Sequence, residues 1–136
     1  MQREFVTYEI ALGLKELGFD EECFAIFFRT ILNNGRTVNY ISDYWESPFY
    51  KNRTNSESNS VDIVSAPLWQ QVVDWFIEKH GMIILPFMFD EFREDYFSYR
   101  IIRRQGDINV HYPYKSYYEA REQAILKAIE ICKENL

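Results

Sequence analysis

Three groups of side chains in this sequence are of types that can do chemistry at close quarters. The first is Arg121. Wound as a helix, the C-terminal stretch puts Tyr117, Ala120, Ala124, Ala128 and Ile131 on one stripe, widened by Tyr118, Ile125, Ile129 and Cys132. Arg121 falls inside that stripe, so its guanidinium needs a partner or an exit. Its stem can cover core while its head reaches water, or it can form a structural ion pair. The alternative is an anion contact beside the helix start; the two structural readings outweigh it. The second group is Arg100, Arg103 and Arg104, with tyrosines interleaved. Arginine and aromatics on a strand suit stacked bases and phosphates, although the same pattern serves as a solvated strand face that guards an edge. The third is Tyr44, Trp45, Phe49 and Tyr50, four aromatics in a stretch without period. They read as cover for the core, as a partner-binding patch or as a small-molecule lid, in that order.

Other reactive side chains lack the spacing that chemistry requires. His80 and His111 are far apart, with no ligand pattern of the zinc type. Cys23 sits beside an apolar strand-like run and Cys132 in a helix, which reads as two buried thiols of a reducing compartment. Asp90, Glu91, Glu94 and Asp95 form a charged turn. There is no glycine-rich phosphate loop, nucleophile elbow or His-Glu-x-x-His segment. No catalytic residue, metal ligand or cofactor is assigned.

Composition narrows the class. The 136 residues are 47% apolar and 18% aromatic, which predicts one folded domain over 1–136. A formal net charge of −6 disfavours duplex-DNA binding, which wants a basic face. The start, Met1-Gln-Arg-Glu-Phe5, is no apolar signal segment, and no run is long enough to cross a bilayer. A cytoplasmic protein with no membrane partner is expected.

The elements that must position these groups follow from caps and periods. Thr7 opens a helix that Gly18 ends. Cys23–Leu32 and Arg36–Ile41 read as strands around Asn33-Asn34-Gly35, a hairpin signal. A loop at 42–64 follows, expected to be partly mobile around Asn52–Ser60. A helix over 66–80 is expected next, with Ser65 as N-cap, Pro67 in its first turn and Gly81 as its stop. Lys79 and His80 would complement its dipole. Its apolar arc, with Trp69, Trp75 and Phe76 as core anchors, is too wide for one sheet face, and the aromatic loop is the expected second cover. Met82–Phe89 is continuously apolar, as in a strand covered on both faces, with Pro86 demoting it to an edge or bulge. Tyr96–Arg104 and Ile108–Tyr112 alternate as strands, and Ser116 with Glu119 makes a capping box for the last helix. The class is therefore α+β: an antiparallel sheet of about five strands with three helices, in the order α-β-β-loop-α-β-β-β-α.

Three segments carry a resemblance: Tyr8-Glu-Ile-Ala-Leu-Gly-Leu-Lys-Glu-Leu-Gly-Phe-Asp20, Ala66-Pro-Leu-Trp-Gln-Gln-Val-Val-Asp-Trp-Phe-Ile-Glu-Lys-His80 and Tyr118-Glu-Ala-Arg-Glu-Gln-Ala-Ile-Leu-Lys-Ala-Ile-Glu130. Together they resemble a group of small phage- and prophage-encoded proteins, with Ala-Pro-Leu-Trp-Gln-Gln the specific part. The resemblance implies a mobile-element context and a shared fold, and no mechanism. The expected function is that of a non-enzymatic accessory protein acting on a protein partner or as a homo-oligomer. Single-stranded nucleic-acid binding through Arg100–Arg104 and small-molecule or anion binding at Arg121 are the alternatives.

Overall fold

The computed structural model describes residues 4–43, 54–55, 63–91 and 94–135. In order, the elements are α1 (Tyr8–Glu16), β1 (Ala25–Ile31), β2 (Thr37–Asp43), β3 (Ile63–Ala66), α2 (Trp69–His80), β4 (Ile83–Glu91), β5 (Glu94–Ile102), β6 (Ile108–Tyr114) and α3 (Tyr117–Glu134). The fold is α+β in the expected order, with β3 as a short additional strand. The strands form two antiparallel three-stranded sheets, ordered β2-β1-β3 and β4-β5-β6. The chain divides into two compact units, Met1–Gln71 and Val72–Leu136.

The first unit is built on β1. Ala25, Ile26 and Phe27 are all buried, so both faces of its first half are covered, whereas Arg29 and Ile31 are exposed. One side of β1 pairs with β2 through the Asn33-Asn34-Gly35 turn. The Asn34 side chain accepts from the Arg36 N–H at 2.9 Å, and Gly35 takes φ +79°. The other side pairs with β3, and α1 packs on β3 with Ile10 and Leu14 fully buried. The start of α1 is capped by Thr7, which accepts from the Ile10 N–H. Its end is a Schellman closure. Phe19 N–H donates to Leu14 O at 2.9 Å, Gly18 N–H donates to Lys15 O at 3.0 Å, and Gly18 sits at φ +89°.

Ser65 does not cap α2. It lies in β3 opposite Ile26, buried, with its N–H given to the Asn55 Oδ1 at 2.9 Å. Sheet pairing holds residues 63–66 extended, and the Val6 N–H bonds to Pro67 O at 3.0 Å. The helix therefore begins only at Trp69. The Gln71 side chain accepts from the Leu68 N–H at 3.4 Å, the Gln half of a capping box.

Most of the 42–64 loop, including Tyr44, Trp45, Phe49 and Tyr50, lies outside the described residues. Within its polar part, Asn55 is buried. Its Nδ2 donates to Phe19 O at 2.7 Å while its Oδ1 serves Ser65, so one amide ties the end of α1 to β3.

In the second unit α2 stops at Gly81, φ +62°, with Gly81 N–H on Ile77 O at 3.1 Å. Trp75 and Phe76 are buried as anticipated, whereas Ile77 is exposed. β4 and β5 pair along their whole length, with Ile84 opposite Ile101 and Pro86 opposite Tyr99. Side chains of paired residues share a face. α3 packs on β4, β5 and β6, and Tyr117 meets Phe97 edge-on at 6.5 Å, which puts the helix on the Ile84–Tyr99–Ile101 face. Ala120, Ala124 and Ala128 are fully buried, and such small side chains bring the helix close. Ser116 caps α3 by accepting from the Glu119 N–H at 3.1 Å.

Replacing Asn55 with alanine removes one donor and one acceptor from buried partners. Asn55→Ala is expected to cost about 1–3 kcal/mol. Urea unfolding of the variant beside wild type measures it.

Candidate interaction surface

The structure separates the arginines singled out in the sequence. Arg100 lies on β5 and donates through Nη2 to the Asp107 carboxylate at 2.6 Å. That bond holds the Asp107 carboxyl below its usual range. The next turn residues add to it: Arg103 Nε donates to Gly106 O at 2.9 Å, and the Arg103 N–H reaches the other Asp107 oxygen at 3.3 Å. Arg100 and Arg103 thus lock the turn between β5 and β6, and Arg104 is exposed beside it. A guanidinium already bound to a carboxylate offers phosphate little.

Arg121 sits on α3, half-buried. Its guanidinium carbon lies 5.6 Å from the Tyr117 ring centroid and 5.2 Å from that of Tyr118, one turn back on the same helix. Burial lowers its pKa and the two tyrosines oppose that shift. The stem in the apolar stripe and the head against aromatic faces explain how a cation fits there. Tyr117 and Tyr118 are themselves exposed, and Tyr112 and Tyr114 on β6 stand 4.7 Å apart centroid to centroid.

The reactive groups are quiet. Cys23 is a buried free thiol whose Sγ donates to Glu21 O at 3.4 Å. Burial first, and the Glu21 charge second, push it up to about 12. Cys132 is also a buried free thiol, shifted up by burial. The thiolate, the reactive form, is disfavoured at both. His80 contacts the Trp75 and Phe76 rings at 4.9 and 5.8 Å, and desolvation lowers its pKa. It therefore does not bring the positive charge expected at the end of α2. Among the described residues no His, Cys, Asp and Glu cluster could hold a metal, and no helix is long and apolar enough to cross a membrane. An open cleft of about 310 Å³ is lined by Lys15, Gly18, Phe19, Asp20 and Asn55. Lys15 Nζ is bonded to Ile63 O at 2.9 Å and Asn55 to Phe19 and Ser65, so these two side chains serve the fold.

What the sequence reading missed lies on β4. The expectation was a strand covered on both faces. β4 is an edge strand, as Pro86 suggested; on the face toward α3 Ile84 is buried and Pro86 half-buried, while Met88 further along is exposed. The opposite row starts with Ile83 at 40% and Leu85 at 42% exposure. It continues through half-buried Phe87 and Phe89, whose rings stand 6.2 Å apart, to Tyr96 on β5 at 5.8 Å from Phe89. This is an apolar sheet face partly in water. The available signal was the lack of alternation itself: an edge strand with apolar residues on both faces offers two surfaces for burial.

The fold and this face define an α+β protein with exposed apolar sheet surface and buried thiols. Searches against protein-family models, curated proteins and solved structures gave no match.

The Cys23 thiol has a definite pH signature. Its folded pKa of about 12 lies above the ordinary 9.0. The folded state keeps its proton while the unfolded chain loses it. The stabilisation is full below pH 9 and is lost as pH rises toward 12, with a slope of about 1.4 kcal/mol per pH unit. Unfolding measured from pH 8 to 11 is expected to show a steeper alkaline loss in wild type than in Cys23→Ala. The thiol should resist a disulfide reagent at pH 8 until the protein unfolds.

Proposed function

We propose that this chain is a non-enzymatic interaction protein of a phage or mobile element, acting in the cytoplasm on a protein partner. The observation that carries this reading is the partly exposed β4 face, with Ile83 and Leu85 exposed and Phe87 and Phe89 half-buried. Contiguous apolar surface in water forgoes about 25 cal/mol per Å² that burial would return. On folded proteins such surface marks contact sites. Aromatic residues at its centre are of the types that dominate interfaces. The phage context rests on the resemblance carried by the Ala66–His80 segment and the two terminal helices. The internal pairing of Arg100 and Arg103 supports a protein rather than a nucleic acid as the partner.

Leu85→Glu places a charge in the exposed row without touching the packed one. Affinity capture from the host lysate is expected to lose its specific partner with Leu85→Glu and to keep it with Trp45→Ala/Phe49→Ala. Thermal unfolding should change little, because Leu85 is already partly in water. Partner capture equal in wild type and Leu85→Glu would remove the sheet face from consideration. Oligonucleotide titration at low salt should show no saturable binding; binding that weakens steeply with salt would favour the nucleic-acid reading instead.

A further inference from the structure

Of the five glycines in the chain, Gly35 alone follows an asparagine. Asn34 and Gly35 form the tip of the β1–β2 hairpin, and residues 31–37 are all exposed. The Asn34 Oδ1 accepts from the Arg36 N–H at 2.9 Å, which folds the side-chain amide over the Gly35 peptide and draws electron density from Cγ. Gly35 has no Cβ to shield its nitrogen, and a Cβ built there would meet nothing within 4 Å beyond its chain neighbours. The tip thus sets an electrophilic carbon near an open backbone nitrogen. One bond restrains that nitrogen: the Gly35 N–H donates to Leu32 O at 2.9 Å. It closes an exposed turn, where local opening costs far less than unfolding.

Asn55 has the opposite surroundings. It is buried, a serine follows it, and both ends of its amide are bonded, to Phe19 O and to the Ser65 N–H. Gln105 also precedes an open glycine, but its longer side chain would have to close a six-membered ring.

We propose that Asn34 is a site of spontaneous modification in the folded protein, losing its amide through a cyclic imide with Gly35. The Gly35 nitrogen gives its proton to solvent base and bonds to Asn34 Cγ, closing a five-membered ring. The Cγ–Nδ2 bond breaks, and Nδ2 leaves as ammonia with a proton from water. Water then opens the imide at one of its two carbonyls. Cleavage of the new Cγ–N bond leaves an aspartate at 34. Cleavage of the original peptide C–N bond leaves an isoaspartyl link that runs the backbone through Cβ and Cγ. Nothing is oxidised or reduced: amide and water become acid and ammonia. Either product adds a negative charge at the tip. The aspartate keeps an oxygen for the Arg36 N–H. The isoaspartyl form lengthens the turn by one carbon and strains its closing bonds, Gly35 N–H to Leu32 O and Leu32 N–H to Arg36 O at 2.8 Å. The molecule therefore ages from a tied β1–β2 tip to a loosened one, whatever binds the β4 face.

Peptide mapping of folded protein incubated in mildly alkaline and mildly acidic buffer tests it. Trypsin releases Thr30–Arg36 by cutting after Arg29 and Arg36. Fragment masses are expected to place the amide-to-acid change on Asn34, on the order of tenfold faster than on Asn33. The change should be faster in the alkaline buffer and give two products of equal mass that separate by chromatography. Asn55 and an Asn34→Gln variant should keep their amides. In the isoaspartyl form the Leu32 amide proton should exchange on the order of tenfold faster than in Asn34→Asp. An Asn34 that keeps its amide in the folded protein, or loses it no faster than Asn33, overturns the proposal. Equal Leu32 exchange in the two acid forms overturns the loosening of the tip.

Discussion

Backbone pairing along both sides of β1 is the constraint from which the first unit follows. A buried strand cannot leave its N–H and C=O groups without partners. The first half of β1 is buried on both faces, so it needs a neighbour on each side. The tight Asn33-Asn34-Gly35 turn supplies β2. The second neighbour must come from far along the chain, and it is β3. That demand takes Ser65 and Ala66 into the sheet and delays α2 to Trp69. Asn55 then satisfies the Ser65 N–H, and its own amide group closes the end of α1. One long-range pairing thus sets a helix boundary, a buried polar contact and the seat of α1.

Local signals were legible where they compete with nothing distant. Thr7 and Ser116 cap the helices they were expected to cap, and Gly18 and Gly81 end theirs at positive φ. The turn at Asn33–Gly35 and the contrast of buried Ile101 with exposed Arg100 also carried through, whereas Ser98, expected on the outward side of β5, is fully buried. Ser65 failed for a physical reason: a serine before a proline is a cap only if the chain there is free to turn. Asn55 was illegible because nothing in its polar neighbourhood distinguishes the one amide with buried partners. The charge of Arg121 was visible as a conflict with its stripe, but its resolution by Tyr117 and Tyr118 depends on ring orientation.

The sites followed the same division. A sequence offers charges and aromatics as if each were available, whereas the structure shows which are already spent. Asp107 absorbs Arg100 and orders Arg103, which turns a suggestive basic strand into a well-tied hairpin. Cys23 is held as a thiol by burial. In the opposite direction, the apolar run of β4 looked spent on core and is not, because α3 covers one face of a sheet that has two.

The two sheets handle their exposed parts in different ways. In the second, proline on both outer strands denies an incoming backbone a regular ladder while the apolar face stays accessible. Contact there must be made by side chains. In the first, the outward side of β2 has its donors and acceptors evenly spaced and unobstructed by proline. An edge of that kind offers backbone rather than side chains, and backbone ladders are indifferent to most side chains.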